Sequence, residues 1–195
     1  MVQKVFQEAA TFSNLDPATV YTFSIRTEKE GFKDSPPYIK EIQTAPSAVE
    51  FLNHSRNSNA VTVSWPSARS LLDGYIISIS SEILMKEEIL PSTKRTFSFN
   101  SLSPGTDFLI SIIATKGLKR SHPTVLMVST YPDPPSDLLI LGQEEHTIYL
   151  SWKLPQGGFE RFQISYYVTS RKEKLFKVIV YSNKAKVKNL TPAYL

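Results

Sequence analysis

The chain has 195 residues, a formal net charge of +4 and no cysteine. Its hydrophobic fraction of 41% and charged fraction of 21% are typical of a folded globular protein and exclude a disordered chain. The lack of cysteine excludes disulfide bonds, thiolate-bound zinc and a cysteine nucleophile within these residues. No apolar run approaches the roughly 18 residues of a membrane span. The first residues, MVQKVFQEAATFSN, lack the continuous apolar segment expected of a signal peptide.

The first part of the chain contains three predicted strands. They are VFQEAATFSN (5–14), TVYTFSIRTE (19–28) and YIKEIQT (38–44). The second of them alternates with the period of two that is typical of a half-buried strand. The phrase LDPATVYTF begins at Leu15 and places a proline turn directly before this strand.

The central part of the chain predicts seven short strands. Alternating segments such as VTVSW and YIISIS are separated by turn sequences such as LLDG and SPG. We predict strands A, B, C, C′, E, F and G at 48–53, 60–65, 74–80, 83–90, 94–99, 106–116 and 123–130. Many short strands separated by turns favour a β-sandwich.

The remainder of the chain repeats the beginning of this pattern. IYLSW ends at Trp152, 87 residues after VTVSW ends at Trp65. The phrase that begins at Leu15 returns at Leu102 and Leu190, at steps of 87 and 88 residues. Two landmarks that share one period predict tandem domains.

These landmarks resemble the fibronectin type III domain. The shared features are a tryptophan ending the second strand, an aromatic residue opening the third, and L-x-P-x-T-x-Y before the sixth. The resemblance implies an all-β chain of tandem immunoglobulin-like sandwiches, one complete and two partial. Residues 1–44 would supply strands E to G of one domain, residues 46–131 a complete domain, and residues 132–195 strands A to E of a third.

The resemblance also implies core positions. Tyr21 is expected to form a tyrosine corner, with its hydroxyl bonded to the backbone of the turn. Phe108 occupies the matching position without a hydroxyl, so we expect packing to hold that corner. The other expected core residues are Trp65, Trp152, Leu15, Leu102 and Leu190.

No motif for catalysis or cofactor binding is found. His54, His122 and His146 lie in different segments, with no partner at metal-ligand spacing. The sequence has no phosphate-binding loop and no hydrolase or metalloprotease motif. We therefore predict a chain that is not an enzyme and that holds no metal or cofactor.

Two basic clusters are candidate contacts for a ligand or a polyanion. The cluster on the predicted F–G loop comprises Lys116, Lys119 and Arg120. The cluster that alternates along one strand face comprises Lys184, Lys186 and Lys188. Each cluster has an alternative interpretation as an ordinary solvated surface, and lysine also protects an edge strand from pairing. Nucleic acid is not expected, because the aromatic residues have the spacing of a core rather than of a stacking platform.

Two sequons predict N-glycosylation if the chain is extracellular. They are NHS at Asn53 and NLT at Asn189. Asn53 is expected at the end of strand A, and Asn189 is expected to point outward beside Leu190.

The style of the repeats, as in LDPATVYTFSIRTEKEGFKDSPP, resembles the ectodomain repeats of receptor-type protein tyrosine phosphatases. This resemblance implies the extracellular part of a plasma-membrane protein that binds a protein ligand or adhesion partner, with heparan sulfate as a further candidate. Phosphatase activity is excluded here because the catalytic loop of that family requires a cysteine. Two alternatives stay open: a fragment of a secreted matrix glycoprotein, and accessory domains of a secreted enzyme.

Overall fold

The computed structural model describes residues 9–68, 70–168 and 171–190. All regular secondary structure in this part of the chain is β-strand. The strands are β1 (Val20–Ile25), β2 (Tyr38–Gln43), β3 (Asn53–Arg56), β4 (Val61–Ser64), β5 (Gly74–Ser80), β6 (Met85–Pro91), β7 (Thr96–Phe99), β8 (Asp107–Lys116), β9 (Lys119–Arg120), β10 (Thr124–Ser129), β11 (Ser136–Glu144), β12 (Thr147–Lys153), β13 (Phe162–Val168), β14 (Arg171–Val180) and β15 (Lys184–Val187).

The strands form five sheets. β1 pairs with β2, and the sheets of the central part have the orders β3-β4-β7 and β10-β8-β5-β6, with β9 beside β8. These orders are A-B-E and G-F-C-C′ in the predicted lettering, which is the division expected of the two sheets of a sandwich. The last two sheets, β11-β12-β15 and β13-β14, repeat A-B-E and C-C′.

Contacts divide the described residues into two compact units. The first comprises the residues up to Ser55 together with Thr62–Ser98 and Phe108–Val128. The second comprises Arg56–Val61, Phe99–Asp107 and the residues from Ser129 onward.

The core of the first unit is built around β5. This strand lies between β6 and β8 and pairs with both from Gly74 to Ser80. Tyr75, Ile77 and Ile79 alternate along it and are fully buried. Aromatic and β-branched residues fit such a strand because their side chains pack well on a pleated surface.

The two tryptophans occupy the same place in the two repeats. Trp65 is 4% exposed, and its ring lies edge-on to Tyr75 with centroids 5.5 Å apart. Trp152 is 6% exposed, and its ring meets Phe162 in the same way at 5.2 Å. Edge-to-face geometry at this distance is favourable for aromatic pairs, so each repeat is centred on one tryptophan and the aromatic residue that opens the next strand.

The other expected core residues differ in burial. Leu102 and Phe108 are buried, whereas Leu15, Tyr21 and Leu190 are half-buried. The leucine of the repeated phrase is therefore more deeply buried in the second copy than in the first or third.

Predicted strands B to G of the central part agree with β4 to β8 and β10 to within two residues at each end. The predicted position of strand A was wrong, because the prediction was 48–53 and the observed strand β3 is Asn53–Arg56. Val49, in the segment before β3, is buried, and its carbonyl oxygen accepts a hydrogen bond from the Thr124 hydroxyl. Val49 thus packs into the core although it does not belong to a strand.

The strand predicted at 5–14 lies partly outside the described residues. Its described part, residues 9–14, forms no strand. A strand requires a hydrogen-bonded neighbour, and no described strand pairs with this segment. Phe12 nevertheless packs edge-on against Phe23 of β1, with centroids 5.3 Å apart.

Candidate functional site

The hairpin that follows β8 carries the first basic cluster. It turns at Gly117, whose N–H donates to Asp73 Oδ2 at 2.7 Å, while Lys116 Nζ lies 2.7 Å from Asp73 Oδ1. The hydrogen bond from Gly117 and the neighbouring Lys116 ammonium hold the pKa of Asp73 below its usual value. Lys116 is therefore held in an ion pair, and Lys119 and Arg120 are the exposed cations of the hairpin.

The second basic cluster lies on and just after β15, at an edge of its sheet. Lys184, Lys186 and Lys188 are all exposed. Lys186 Nζ donates to Tyr149 Oη at 2.6 Å and lies 4.7 Å from the centre of the Tyr149 ring. The same hydroxyl donates to Glu144 at 2.9 Å, and the hydrogen bond with Tyr149 raises the pKa of Lys186. Lys186 is thus held on an aromatic ring and lies between the exposed cations Lys184 and Lys188. We call these three residues the lysine row.

The first L-x-P turn, residues 15–21, is called the first corner. Here the Thr44 hydroxyl accepts the N–H of Thr19 at 3.0 Å and donates to the carbonyl of Asp16 at 2.7 Å. The N–H of Asp16 in turn donates to the hydroxyl of Tyr21 at 2.8 Å. A threonine directly after β2 and a tyrosine from β1 therefore satisfy backbone groups of the turn.

The second corner, residues 102–108, has the same threonine contact. The Thr130 hydroxyl accepts the N–H of Thr106 at 3.0 Å and donates to the carbonyl of Ser103 at 2.7 Å. Phe108 supplies no hydroxyl. This threonine pair was missed in the sequence, although a signal exists: TAP at 44–46 and TYP at 130–132 both place a threonine two residues before proline.

Within the second unit, residues 102–107 of the second corner also approach the loop of Gly157 and Gly158, backbone to backbone. The N–H of Gly158 donates to the carbonyl of Pro104 at 3.3 Å. A Cβ atom at Gly105 would overlap the carbonyl of Gly158, and a Cβ atom at Gly157 would overlap the carbonyl of Pro104. Only residues without a side chain fit this contact.

The two sequon asparagines are both exposed. Asn53 opens β3 rather than closing a strand, and Asn189 has a φ of 61° just before Leu190. His146 Nδ1 donates to the carbonyl of Leu190 at 2.8 Å, and the N–H of Leu190 donates to the carbonyl of His146. His146 is thus a partner of the third repeat of the phrase.

The described residues contain no cluster of histidine, aspartate and glutamate that could hold a metal ion. Within the same residues there is no helix with the length and apolar character needed to cross a bilayer. The candidate functional features are therefore the two basic clusters, the two corners and the two sequons.

Comparison with known proteins gives one family match and a consistent set of relatives. A family model described as fibronectin type III domain matches residues 44–126. Tenascin-R from Homo sapiens is 28% identical over 160 residues, which are 80% of this chain and 12% of that protein. Tenascin from Gallus gallus is 25% identical over 178 residues, which are 87% of this chain and 10% of that protein. The chain thus spans a small part of the length of these relatives.

A solved two-domain fibronectin type III segment from chicken tenascin superimposes with a TM-score of 0.53 and 23% identity. The superposition covers 75% of this chain and 84% of that segment. At this identity the likeness supports the fold alone. The predicted fold class, an all-β chain of tandem sandwiches, is confirmed.

Proposed function

We propose, from the premise that residues 44–126 form a fibronectin type III domain, that the chain supplies binding and spacing modules of an extracellular matrix glycoprotein similar to tenascins. Fibronectin type III domains with such relatives are non-catalytic. The observation that supports the proposal best is the similarity to tenascins over 80% of the chain, because tenascins are secreted matrix proteins.

The same relatives do not support a receptor-type phosphatase or attachment to the plasma membrane. They favour the alternative that the sequence left open, a secreted matrix glycoprotein. The two possibilities predict different physical behaviour, because a matrix protein is held by protein and glycan contacts and a receptor by a lipid bilayer.

Extraction of the native protein tests this proposal. An antibody against residues 44–126 would be used on cultured cells extracted first with mild detergent and then with urea. We expect the protein in the urea extract and around unpermeabilised cells. Recovery in the detergent extract, together with integral membrane proteins, would instead support a receptor ectodomain.

The lysine row is the surface that we propose for an acidic partner such as heparan sulfate. Its cations are exposed, lie on and just after β15, and are spaced for a linear chain of negative groups. The contact of Lys186 with Tyr149 fixes the central ammonium, so less side-chain freedom is lost when a ligand binds. Lys119 and Arg120 on the hairpin are the second candidate surface.

Binding of the chain to heparan sulfate on a sensor tests this assignment. Changing Lys184, Lys186 and Lys188 together to Gln should weaken binding by about tenfold at physiological salt, and less at high salt, where exposed charges are screened. The matched control changes Lys119 and Arg120 to Gln and should bind nearly as the unmodified chain does. Loss of binding in the control alone would move the contact to the hairpin.

We propose that residues 46–131 fold as one domain, with residues 1–44 and 132–195 belonging to neighbouring repeats. The family match over 44–126 supports this division. An isolated 46–131 segment should unfold in one cooperative transition, at a lower temperature than in the full chain because it lacks the hydrogen bond from Gly158 to Pro104. A gradual, non-cooperative melt would reject these boundaries.

A further inference from the structure

The two sequon asparagines lie in different backbone environments. The backbone conformation explains why one of these positions is an asparagine but does not explain the other. Asn189 has a left-handed φ of 61°. Asn14 and Ser101 have φ values of 59° and 57° at the same place, directly before the leucine of the repeated phrase. Asparagine tolerates this conformation better than most residues, so the turn itself accounts for Asn189.

Asn53 has no such explanation. It is the first residue of β3, and asparagine is depleted in strands. It is exposed, and its side-chain amide makes no hydrogen bond within the described ranges. Ser55, the hydroxyl residue of the sequon, is also exposed and lies on the same strand face because side chains alternate.

The position of β3 gives a reason for a modification there. β3 is the outer strand in the order β3-β4-β7, so one side of its backbone has no strand partner in the described part of the chain. Such an edge can pair with another chain. Its far end is covered, because Arg56 donates to the carbonyl of Ser129 and lies over the Tyr131 ring. The end at Asn53 is left open, two residues after the half-exposed Phe51.

We propose that Asn53 carries an N-linked glycan, added from a lipid-linked oligosaccharide diphosphate, and that the glycan covers the open edge of β3. The proposal relies on the proposed extracellular function, since this donor meets proteins in the secretory pathway. It assigns the modification to the sequon whose asparagine and serine side chains are exposed on the edge strand β3.

The transfer is balanced without an oxidant or reductant. The side-chain nitrogen of Asn53 forms a bond to the anomeric carbon of the oligosaccharide. The bond from that carbon to the diphosphate oxygen breaks, the lipid diphosphate leaves with the electron pair, and the amide proton is lost to solvent. A large hydrophilic group then extends from an exposed position and disturbs no buried contact.

The test directs the 195-residue chain into the secretory pathway of a mammalian cell. Peptides from the secreted and the cell-retained protein are then deglycosylated in heavy-oxygen water, which marks each former glycan site. We expect the mark at Asn53, its loss in Ser55→Ala, and its retention in Ser55→Thr, which keeps the hydroxyl. Asn189→Gln is the matched control and should leave the mark at Asn53 unchanged.

A folded chain without the mark at Asn53, or with a mark at Asn189 in its place, would overturn the assignment. This readout uses no ligand and no matrix. The glycan can therefore be absent from Asn53 while the native protein is found in the matrix. Equally, the native protein can be absent from the matrix while Asn53 carries a glycan. The proposed covering of the β3 edge by the glycan is tested separately. Enzymatic removal of the glycan should increase concentration-dependent association in sedimentation velocity, and unchanged sedimentation would reject that role.

Discussion

The first and second corners have the same backbone plan but are stabilised differently. In both, a threonine two residues before proline bonds to two backbone groups of the turn. In both, the residue after the proline of the turn has a left-handed φ: 54° at Ala18 and 55° at Gly105. The first corner adds a tyrosine hydroxyl, whereas the second adds burial and a backbone contact with Gly158.

Solvent access explains the difference. Tyr21 is half-buried and the N–H of Asp16 is near water, so a hydroxyl can bind this N–H and still be solvated. Phe108 is 3% exposed, and an apolar ring is stabilised there by the area it removes from water. One turn sequence can therefore be secured by a hydrogen bond or by packing, according to how dry its surroundings are.

The largest effect is expected for Gly105→Ala. The new methyl group would overlap the carbonyl of Gly158 at a φ that alanine adopts only with strain, so we expect a loss of about 3 kcal/mol. Hydrogen exchange of peptides that cover the second corner, followed by mass spectrometry, would measure this loss.

Gly31→Ala is the matched control for backbone strain. Gly31 has a φ of 76°, and a Cβ atom there would meet no atom within 4 Å. It should therefore cost only about 1 kcal/mol, the penalty for the left-handed conformation. Equal losses in the two variants would show that the contact with Gly158 does not stabilise the second corner.

A smaller effect is expected when the threonine is changed. Thr130 is 3% exposed, so Thr130→Val leaves the N–H of Thr106 and the carbonyl of Ser103 without their partner at a part-buried contact. We expect a loss of about 2 kcal/mol. Thr44→Val should cost about 1 kcal/mol, because water can reach the first corner. Urea denaturation of both variants measures the difference, and a larger loss at Thr44 would contradict the account based on solvent access.

The tyrosine hydroxyl should contribute less. Tyr21→Phe removes the acceptor for the N–H of Asp16, and we expect a loss of about 1 kcal/mol. Phe108→Tyr is the converse change and should be close to neutral if the new hydroxyl reaches the N–H of Ser103. Thermal unfolding of the two variants gives the comparison, and a Tyr21→Phe variant as stable as the parent would mean that water fully replaces the hydroxyl.

Much of the fold could be predicted from the sequence because it follows from local patterns. Alternation located β4, β5 and β7, the resemblance to the fibronectin type III pattern placed β6, β8 and β10, and the period of the leucine phrase located both corners. Strand A was misplaced because its segment does not alternate and Val49 is buried outside any strand. Side-chain burial has a sequence pattern, whereas the choice of a hydrogen-bonded neighbour depends on the assembled sheet.

The surfaces were predicted less completely, because their partners are distant in sequence. Asp73 neutralises Lys116 across 43 residues, and no local motif joins them. The approach of Gly157 and Gly158 to Pro104 likewise depends on the folded backbone and has no local sequence motif. The threonine pair is different, since its T-x-P signal is repeated in the sequence and could have been found.

The smallest effect is expected for Ala18→Gly, which gives the first corner the residue of the second. The N–H of Ala18 bonds to the carbonyl of Ala45 at 3.0 Å, as that of Gly105 bonds to Tyr131. Glycine relieves about 1–2 kcal/mol of left-handed strain but loses about 0.5–1 kcal/mol more in chain entropy. We therefore expect a net gain of about 0 to 1.5 kcal/mol in urea denaturation, centred below about 1 kcal/mol.

Ala10→Gly is the control for this last prediction, because Ala10 is exposed and does not have a positive φ. It should show only the entropic loss of about 0.5–1 kcal/mol. Opposite signs for the two variants would show that the first corner retains strain that the second avoids with Gly105. If both variants lose stability equally, the left-handed turn is unstrained in either corner, and glycine is required at Gly105 solely by the approach of Gly158.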